Sequence, residues 1–242
     1  MGGFHQKTSV DKSKSNGQSS LIEIKNLKKS LHGGGRRVSI LNGVTLKVPE
    51  GQFLTVTGPS GSGKTTLLSL IAGLDSATSG TIKISGQDIT LLDENQLALF
   101  RGKSFGFIFQ NFHLIPTLTA LENVVLAREL GGGSDAVEKA SILLSQVGLY
   151  DRLYHYPSQM SGGEQQRLSL ARAFVNEPKL VLADEPTGNL DSKNTDIIMK
   201  LISDLHQTNG ATIIMVTHEP KLAKLAQRTI VMEDGVIVRD SL

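Results

Sequence analysis

Gly58-Pro59-Ser60-Gly61-Ser62-Gly63-Lys64-Thr65-Thr66 fits the pattern G-x-x-x-x-G-K-[ST]. It stands between a run that reads as a strand, around Phe53 and Val56, and a run that reads as a helix beginning near Lys64. With each fixed residue type at about 7% usage, a chance match in a chain of this length is on the order of one in a hundred, and correct placement makes it rarer. Glycines let backbone N–H groups approach phosphate oxygens with no Cβ in the way, and the following helix points its positive end at the same charge. Lys64 then neutralises the β and γ phosphates of a nucleoside triphosphate, and Thr65 offers its hydroxyl to Mg²⁺.

Working outward from this loop, the chain reads as α/β. Val44, Leu46 and Val48 alternate with polar residues and stop at the turn Pro49-Glu50-Gly51. A Gly-bounded strand is expected at Thr81 to Ser85, and helices with i, i+3, i+4 apolar spacing at Glu122 to Leu130 and Ala136 to Val147, on either side of Gly131-Gly132-Gly133. Leu180 to Ala183 and Thr212 to Val216 read as buried strands, and Asp234-Gly235 as the tip of a closing hairpin. The polar start MGGFHQKTSVDKSKSNGQSS reads as a disordered tail over residues 1–20, with no apolar signal-peptide core.

Composition bounds the function. The 242 residues carry 25 Lys+Arg against 23 Asp+Glu, and a net charge of +2 is too small to mark a nucleic-acid footprint, so no nucleic-acid partner is expected. Zero cysteines exclude disulfides, thiolate zinc sites and cysteine nucleophiles. The longest stretch free of Asp, Glu, Lys and Arg, Ser104 to Leu121, contains Gln110, Asn111, His113 and Pro116 and would strand polar groups in lipid.

Two further motifs carry chemistry. Leu180-Val-Leu-Ala-Asp184-Glu185 is an apolar strand ending in adjacent carboxylates, 120 residues after Lys64. Asp184 suits Mg²⁺, and Glu185, turned differently, suits polarising a water that attacks the γ-phosphate. Ser161-Gly162-Gly163-Glu164-Gln165-Gln166-Arg167 opens a helix whose apolar face is Leu168, Ala171 and Val175. Ser161 and Glu164 spell a capping box, but two consecutive glycines cost about 1 kcal/mol each relative to Ala, which makes sense if a phosphate approaches that N-terminus closely.

These residues together resemble the ATP-binding cassette ATPases, whose signature is similar to SGGEQQR here; the resemblance covers nearly everything from Leu21 onward. It implies an α/β P-loop NTPase with a RecA-like core sheet, an antiparallel β subdomain and an inserted helical subdomain at about 113–165, within one ATP-binding domain at 21–242. It also implies a Gln-loop residue at Gln110 (touching Mg²⁺ and the attacking water), a D-loop residue at Asp191 in TGNLDS, and a switch histidine at His218. FQNFHLIPTLTALENV, YPSQMSGGEQQRLSLARAF and ADEPTGNLDS look like the lipoprotein-releasing and macrolide-exporter branch, and LKKSL with SILNGVTLKV looks closest to its YbbA-like members.

By that resemblance the protein is a peripheral ATPase at the cytoplasmic face of a bacterial inner membrane, working as an ATP-dependent homodimer with an integral membrane permease. ATP on the Gly58 to Thr66 loop would be sealed by Ser161, Gly162 and Gly163 of the other copy. Lipoprotein release, export and periplasmic mechanotransmission are the tasks open to it. A soluble relative acting in DNA repair or translation is the alternative. It is disfavoured because only 97 residues separate Lys64 from Ser161, with no heptads for a coiled coil, and because the chain holds one cassette. Coupling helices of the family's permeases dock near a segment expected to be helical after Gln110, where Phe112, Leu114, Ile115 and Leu118 supply apolar surface. The family's adenine-stacking aromatic has Leu31 in its place, with His32 the nearest ring.

Overall fold

Alternating apolar and polar residues build two long strands at the start, β1 (Ser20–Gly33) and β2 (Arg36–Pro49), paired antiparallel. In this computed structural model residues 20–33 and 36–242 are described, with the side chains of residues 32, 33 and 36 left outside. Of the tail expected at 1–20, only Ser20 is described, and it opens β1; the rest lies outside the described residues.

β3 (Phe53–Thr57) leads through the glycine-rich loop into α1 (Lys64–Ile71). β4 (Ser79–Ile84) and β5 (Gln87–Asp88) extend the first sheet to the order β2-β1-β4-β5, all antiparallel. The expected strand end at Ser85 moves back to Ile84, because Ser85 (φ 51°) and Gly86 (φ 82°) form a two-residue left-handed turn that suits a tight hairpin. α2 (Glu94–Ser104) follows and runs into β6 (Phe105–Phe109).

α3 (Ala120–Leu130) and α4 (Ala136–Gln146) pack on each other and on α5 (Gly162–Phe174). The stretch after Gln110 corrects a sequence expectation: residues 112–119 are not helical. Phe112 and His113 hold left-handed φ of 59° and 49°, and Pro116 follows, which together rule out a continuous turn of α-helix.

β7 (Leu180–Asp184), α6 (Ser192–Asn209), β8 (Thr212–Val216), α7 (Pro220–Ala223), β9 (Arg228–Glu233) and β10 (Val236–Asp240) complete the chain. The second sheet has the order β10-β9-β3-β8-β7-β6, parallel throughout except for β10 at one edge.

Its central strands β3, β7 and β8 are buried on both faces, and period-2 alternation splits each between two cores. Leu54, Val56, Leu180, Leu182, Ile214 and Val216 join α1 and the antiparallel sheet. Phe53, Val181, Ala183, Ile213 and Met215 join α3, α4, α5 and α6. Each buried Val, Leu, Ile, Phe or Met among them contributes about 1.5–3 kcal/mol. The parallel sheet is therefore the frame on which the loops leaving its strands are hung.

Candidate nucleotide site

Phe109 on β6 pairs with Asp184 on β7, Asp184 pairs with Val216 on β8, and Val216 pairs with Val56 on β3. These four residues form one row across the carboxyl ends of four parallel strands. The segments leaving that row carry Gln110, Glu185, His218 and Gly58 respectively. A parallel sheet places its functional loops at this end, so residues far apart in the chain emerge side by side.

The loop at 58–63 runs with Gly58 at φ 140° and Gly63 at φ 95°. A Cβ on Gly58 would sit 2.1 Å from the Met232 carbonyl oxygen, and one on Gly63 would sit 2.7 Å from Leu41 Cδ2. Both positions need glycine for space as well as for φ. Pro59, Ser60 and Gly61 are exposed, while Ser62 is buried and its Oγ has no hydrogen-bond partner among the described residues.

Helix α1 has Gly63 as its N-cap, with no side-chain cap and no acid in its first turn. In contrast, α2, α3 and α5 all start with complete capping boxes. The first N–H groups of α1 are thus left for an anion rather than for the chain itself. Lys64 is buried, and its Nζ donates to the carbonyls of Gly58 (2.9 Å) and Pro59 (2.8 Å), which tie the ammonium to the loop. Thr65 is exposed and Thr66 half-buried on the first turn.

Thr65 Oγ1 donates to Asp184 Oδ1 at 3.3 Å, across 119 residues of chain. Burial raises the Asp184 pKa, the adjacent Glu185 charge raises it further, and the Thr65 hydroxyl and Lys64 pull it back. Asp184 is therefore a carboxylate that a cation would relieve. Glu185 sits at φ 48°. That kink ends β7 and turns the second carboxylate away from the first, onto His218 Nδ1, with which it forms a close pair. The Glu185 N–H donates to the Val216 carbonyl at 2.9 Å, which anchors the strained residue to β8. Beside them lies a polar cavity of about 200 Å³ bounded by Glu185, Gly188, Thr217 and His218.

Gln110 follows the last residue of β6, and its side chain lies on the loop between Glu185 and Asp191. Asp191 caps α6: Oδ1 accepts the Asn194 N–H and Oδ2 the Asn194 side-chain amide, both at 2.8 Å. Those bonds, the backbone one first, hold the Asp191 pKa below the usual carboxylate value.

Ser161 caps α5 as a box: its N–H and hydroxyl donate to Glu164 Oε2 at 2.8 and 2.9 Å, while its Oγ accepts the Glu164 N–H at 3.3 Å. Gly162 is exposed and open, but Gly163 is buried against Asn194, whose Oδ1 would lie 2.2 Å from a Cβ there. The glycine pair was expected to make room for a phosphate. At Gly163 the chain itself also demands it, because α6 packs there. Among the described residues no hydrogen bond joins Ser161, Gly162 or Gly163 to the chain's own phosphate loop.

Sequence reading left two contributors unassigned. Arg172 on α5 donates to the carbonyls of Phe112 (2.7 Å) and His113, and so holds the left-handed pair after Gln110 in place. Asn189 bonds Gln110 and Asn111. Both contacts span about 60 to 80 residues, beyond any local signal.

A phosphate loop and paired carboxylates at the carboxyl ends of a parallel sheet, with an antiparallel sheet and a helical layer packed on it, define an ATPase cassette. The chain belongs to the ABC transporter family, which matches residues 41–188. It is 46% identical over 224 residues to the lipoprotein-releasing system ATP-binding protein LolD of Geobacter metallireducens, covering 92% of this chain and 100% of that one. It is 47% identical over 223 residues to YbbA of Escherichia coli K12, described as an uncharacterized ABC transporter ATP-binding protein, with 91% and 98% covered. Against the macrolide export ATP-binding/permease protein MacB of Syntrophobacter fumaroxidans it is 43% identical over 225 residues, covering 91% of this chain but only 32% of that protein. The dimeric post-hydrolysis structure of the cassette MJ0796 bound to ADP and Pi superposes with a TM-score of 0.84 at 38% identity, with 91% and 97% covered. The protein is an ATP-binding, ATP-hydrolysing subunit of an ABC transporter. The DNA-repair and translation alternative is not favoured by these relatives.

Proposed function

We propose that two copies of this chain close head to tail over two ATP molecules, and that this closure drives a membrane permease subunit. The observation that carries the reading is the row Phe109, Asp184, Val216 and Val56, from which Gln110, Glu185, His218 and the phosphate loop leave at the same end of the sheet. Lys64 and the N–H groups of the loop and of α1 bind the β and γ phosphates. Ser161, Gly162 and Gly163 of the second copy bring the start of α5 to the γ-phosphate and seal the site. Glu185 takes the proton of the attacking water, and His218, oriented by the same carboxylate, contacts the γ-phosphate. Asp191 crosses to the other copy and links the two sites. Residues 21–242 form the ATP-binding domain, with its helical insertion at about 113–165.

Thr65, Asp184 and Gln110 would hold Mg²⁺. Hydroxyl, carboxylate and amide oxygens are hard donors, and one carboxylate leaves most positions to phosphate and water, as that ion prefers. When bound, Mg²⁺ supplies charge neutralisation at the β and γ phosphates.

No helix among the described residues is long and apolar enough to cross a membrane. A groove of about 360 Å³ lies between β6 and the helical layer, lined by Leu74, Phe107, Phe109, His113, Leu130 and Arg172. Leu74 and Leu130 are 55% and 76% exposed there, and Ile115, which follows the lining residue His113 in the chain, is 38% exposed. Phe112, Leu114 and Leu118, expected to face a partner, are partly buried. We assign this groove and Ile115 to the permease, with the ATPase lying at the cytoplasmic face of a bacterial inner membrane. The printed names of LolD and MacB support release or export as the task.

The experiment is ATP turnover by the purified protein, alone and with the membrane protein it captures from detergent-solubilised membranes. Stimulation by that partner supports the reading; turnover indifferent to every captured membrane protein overturns it. Leu130→Glu and Ile115→Glu are expected to abolish stimulation and co-purification while leaving basal turnover within about twofold, since an unpaired charge in an apolar contact loses several kcal/mol. A parallel fall in both activities would show core damage instead.

Leu31 pairs across the hairpin with Val38, and the two are 52% and 55% exposed. Val38 stands a few residues before Leu41 on β2, and Leu41 lies against Gly63. An aliphatic pair offers a base dispersion without a π-face, whereas aromatic stacking contributes about 1–3 kcal/mol. GTP is therefore expected to compete with ATP within about tenfold, and Leu31→Tyr to tighten ATP binding by about tenfold, or 1.4 kcal/mol. The side chain of His32 lies outside the described residues. Nucleotide affinities of wild type, Leu31→Tyr and His32→Ala decide the matter: a strong ATP preference lost only in His32→Ala would place the stacking ring at His32.

A further inference from the structure

The Asn189 side chain makes three hydrogen bonds to the start of the segment after β6. Its Nδ2 donates to the Gln110 backbone carbonyl at 3.0 Å and to Asn111 Oδ1 at 3.1 Å, and its Oδ1 accepts from Gln110 Nε2 at 3.2 Å. The orientation of this pair follows from one unambiguous atom. A backbone carbonyl can only accept, so the Asn189 amide must present Nδ2 to Gln110 O. Its Oδ1 is then the end that meets the Gln110 side chain, and an oxygen requires a donor there. Gln110 must therefore point Nε2 at Asn189 and leave Oε1 free. The neighbouring Gly188 completes the seat: a Cβ there would lie 2.8 Å from Gln110 Nε2 and 3.1 Å from its Cδ.

We infer that Asn189 is a positioning residue for ATP hydrolysis, which selects the amide face of Gln110 and presents its Oε1, rather than its NH₂, to Mg²⁺ and the attacking water. This rests on the role proposed above for Gln110. A free glutamine amide can turn over between an oxygen end that binds a cation and an NH₂ end that repels it. Partners that orient metal ligands in this way typically change metal affinity or activity by 10- to 100-fold when removed. Because the pair is exposed to water, the lower end of that range applies here. The same bonds tie the segment bordering the apolar groove to the loop that ends at Asp191.

The test is a double-mutant cycle of Asn189→Ala and Gln110→Ala in the Glu185→Gln background, where no turnover intervenes. The half-saturating Mg²⁺ for ATP-driven dimerisation is followed by light scattering, and kcat and KM are measured in the same cycle with Glu185 intact. Asn189→Ala is expected to raise half-saturating Mg²⁺ about tenfold and lower kcat about tenfold with little change in KM when Gln110 is present, and to do neither in the Gln110→Ala background. Equal effects in both backgrounds would show that Asn189 only supports its loop, and no effect in either would show that it orients nothing; each overturns the inference. If Gln110→Ala alone left Mg²⁺ dependence and kcat unchanged, the role of Gln110 itself would fall, and this inference with it.

Discussion

Glu185→Gln is expected to bind ATP as the wild type does, to lose about 10²- to 10⁴-fold in turnover, and to accumulate as an ATP-bound dimer. General-base catalysis contributes a factor of that size. The amide cannot accept the proton of the attacking water, yet it has the shape of the carboxylate and can still hydrogen-bond His218. No phosphate contact is touched: Lys64 keeps its ties to Gly58 and Pro59, and Thr65 keeps Asp184. Glu185 already occupies φ 48°, and Gln at that position has no greater backbone strain. Removing one of two adjacent carboxylates also lowers the repulsion that raises the Asp184 pKa, which favours the metal-holding form. Size-exclusion chromatography with Mg-ATP reads the outcome. A variant that stays monomeric and hydrolyses ATP at the normal rate would end the general-base assignment.

Lys64→Ala should fail one step earlier, at binding. Hydrogen bonds from a charged donor contribute about 1.5–3 kcal/mol, so nucleotide affinity should fall by roughly 10- to 100-fold. The buried ammonium also holds the Gly58 and Pro59 carbonyls, so the loop loses its internal tie as well as its positive charge. Thermal unfolding without nucleotide separates these effects: a small change in Tm together with a large loss of affinity places the defect in phosphate binding. Unchanged affinity would mean that the loop does something else.

Much of this candidate site is legible in the sequence. The phosphate loop announces itself because its requirements are local: glycines at backbone approaches, a lysine and a threonine at the head of a helix. The Ser161 capping box is local in the same sense, since residue 161 and residue 164 meet within one helical turn. Alternation in Val44, Leu46 and Val48, and the unbroken apolar runs of β7 and β8, report burial on one face or on both.

Where local patterns misled, a backbone detail prevailed. Phe112, Leu114, Ile115 and Leu118 look like a helix face, but left-handed φ at Phe112 and His113, held by Arg172 from α5, turns the segment into a loop. The groove proposed above for the permease is consequently lined by Phe107 and Leu130, from elements before and after that segment. Gly163 looked like room for a ligand, and only Asn194 packed beside it supplies the second reason.

The chain by itself thus determined the class of fold, the phosphate loop and the identity of the carboxylates, because each is encoded within a few successive residues by backbone freedom, capping and periodicity. The tertiary structure alone decided which of these residues lie together. Thr65 meets Asp184 across 119 residues, and Gln110 meets Asn189 across 79, because one row of β-sheet register aligns the ends of β6, β7, β8 and β3. Register is set by which faces of the strands are buried in the two cores, a property of the whole sheet that no single window of sequence contains.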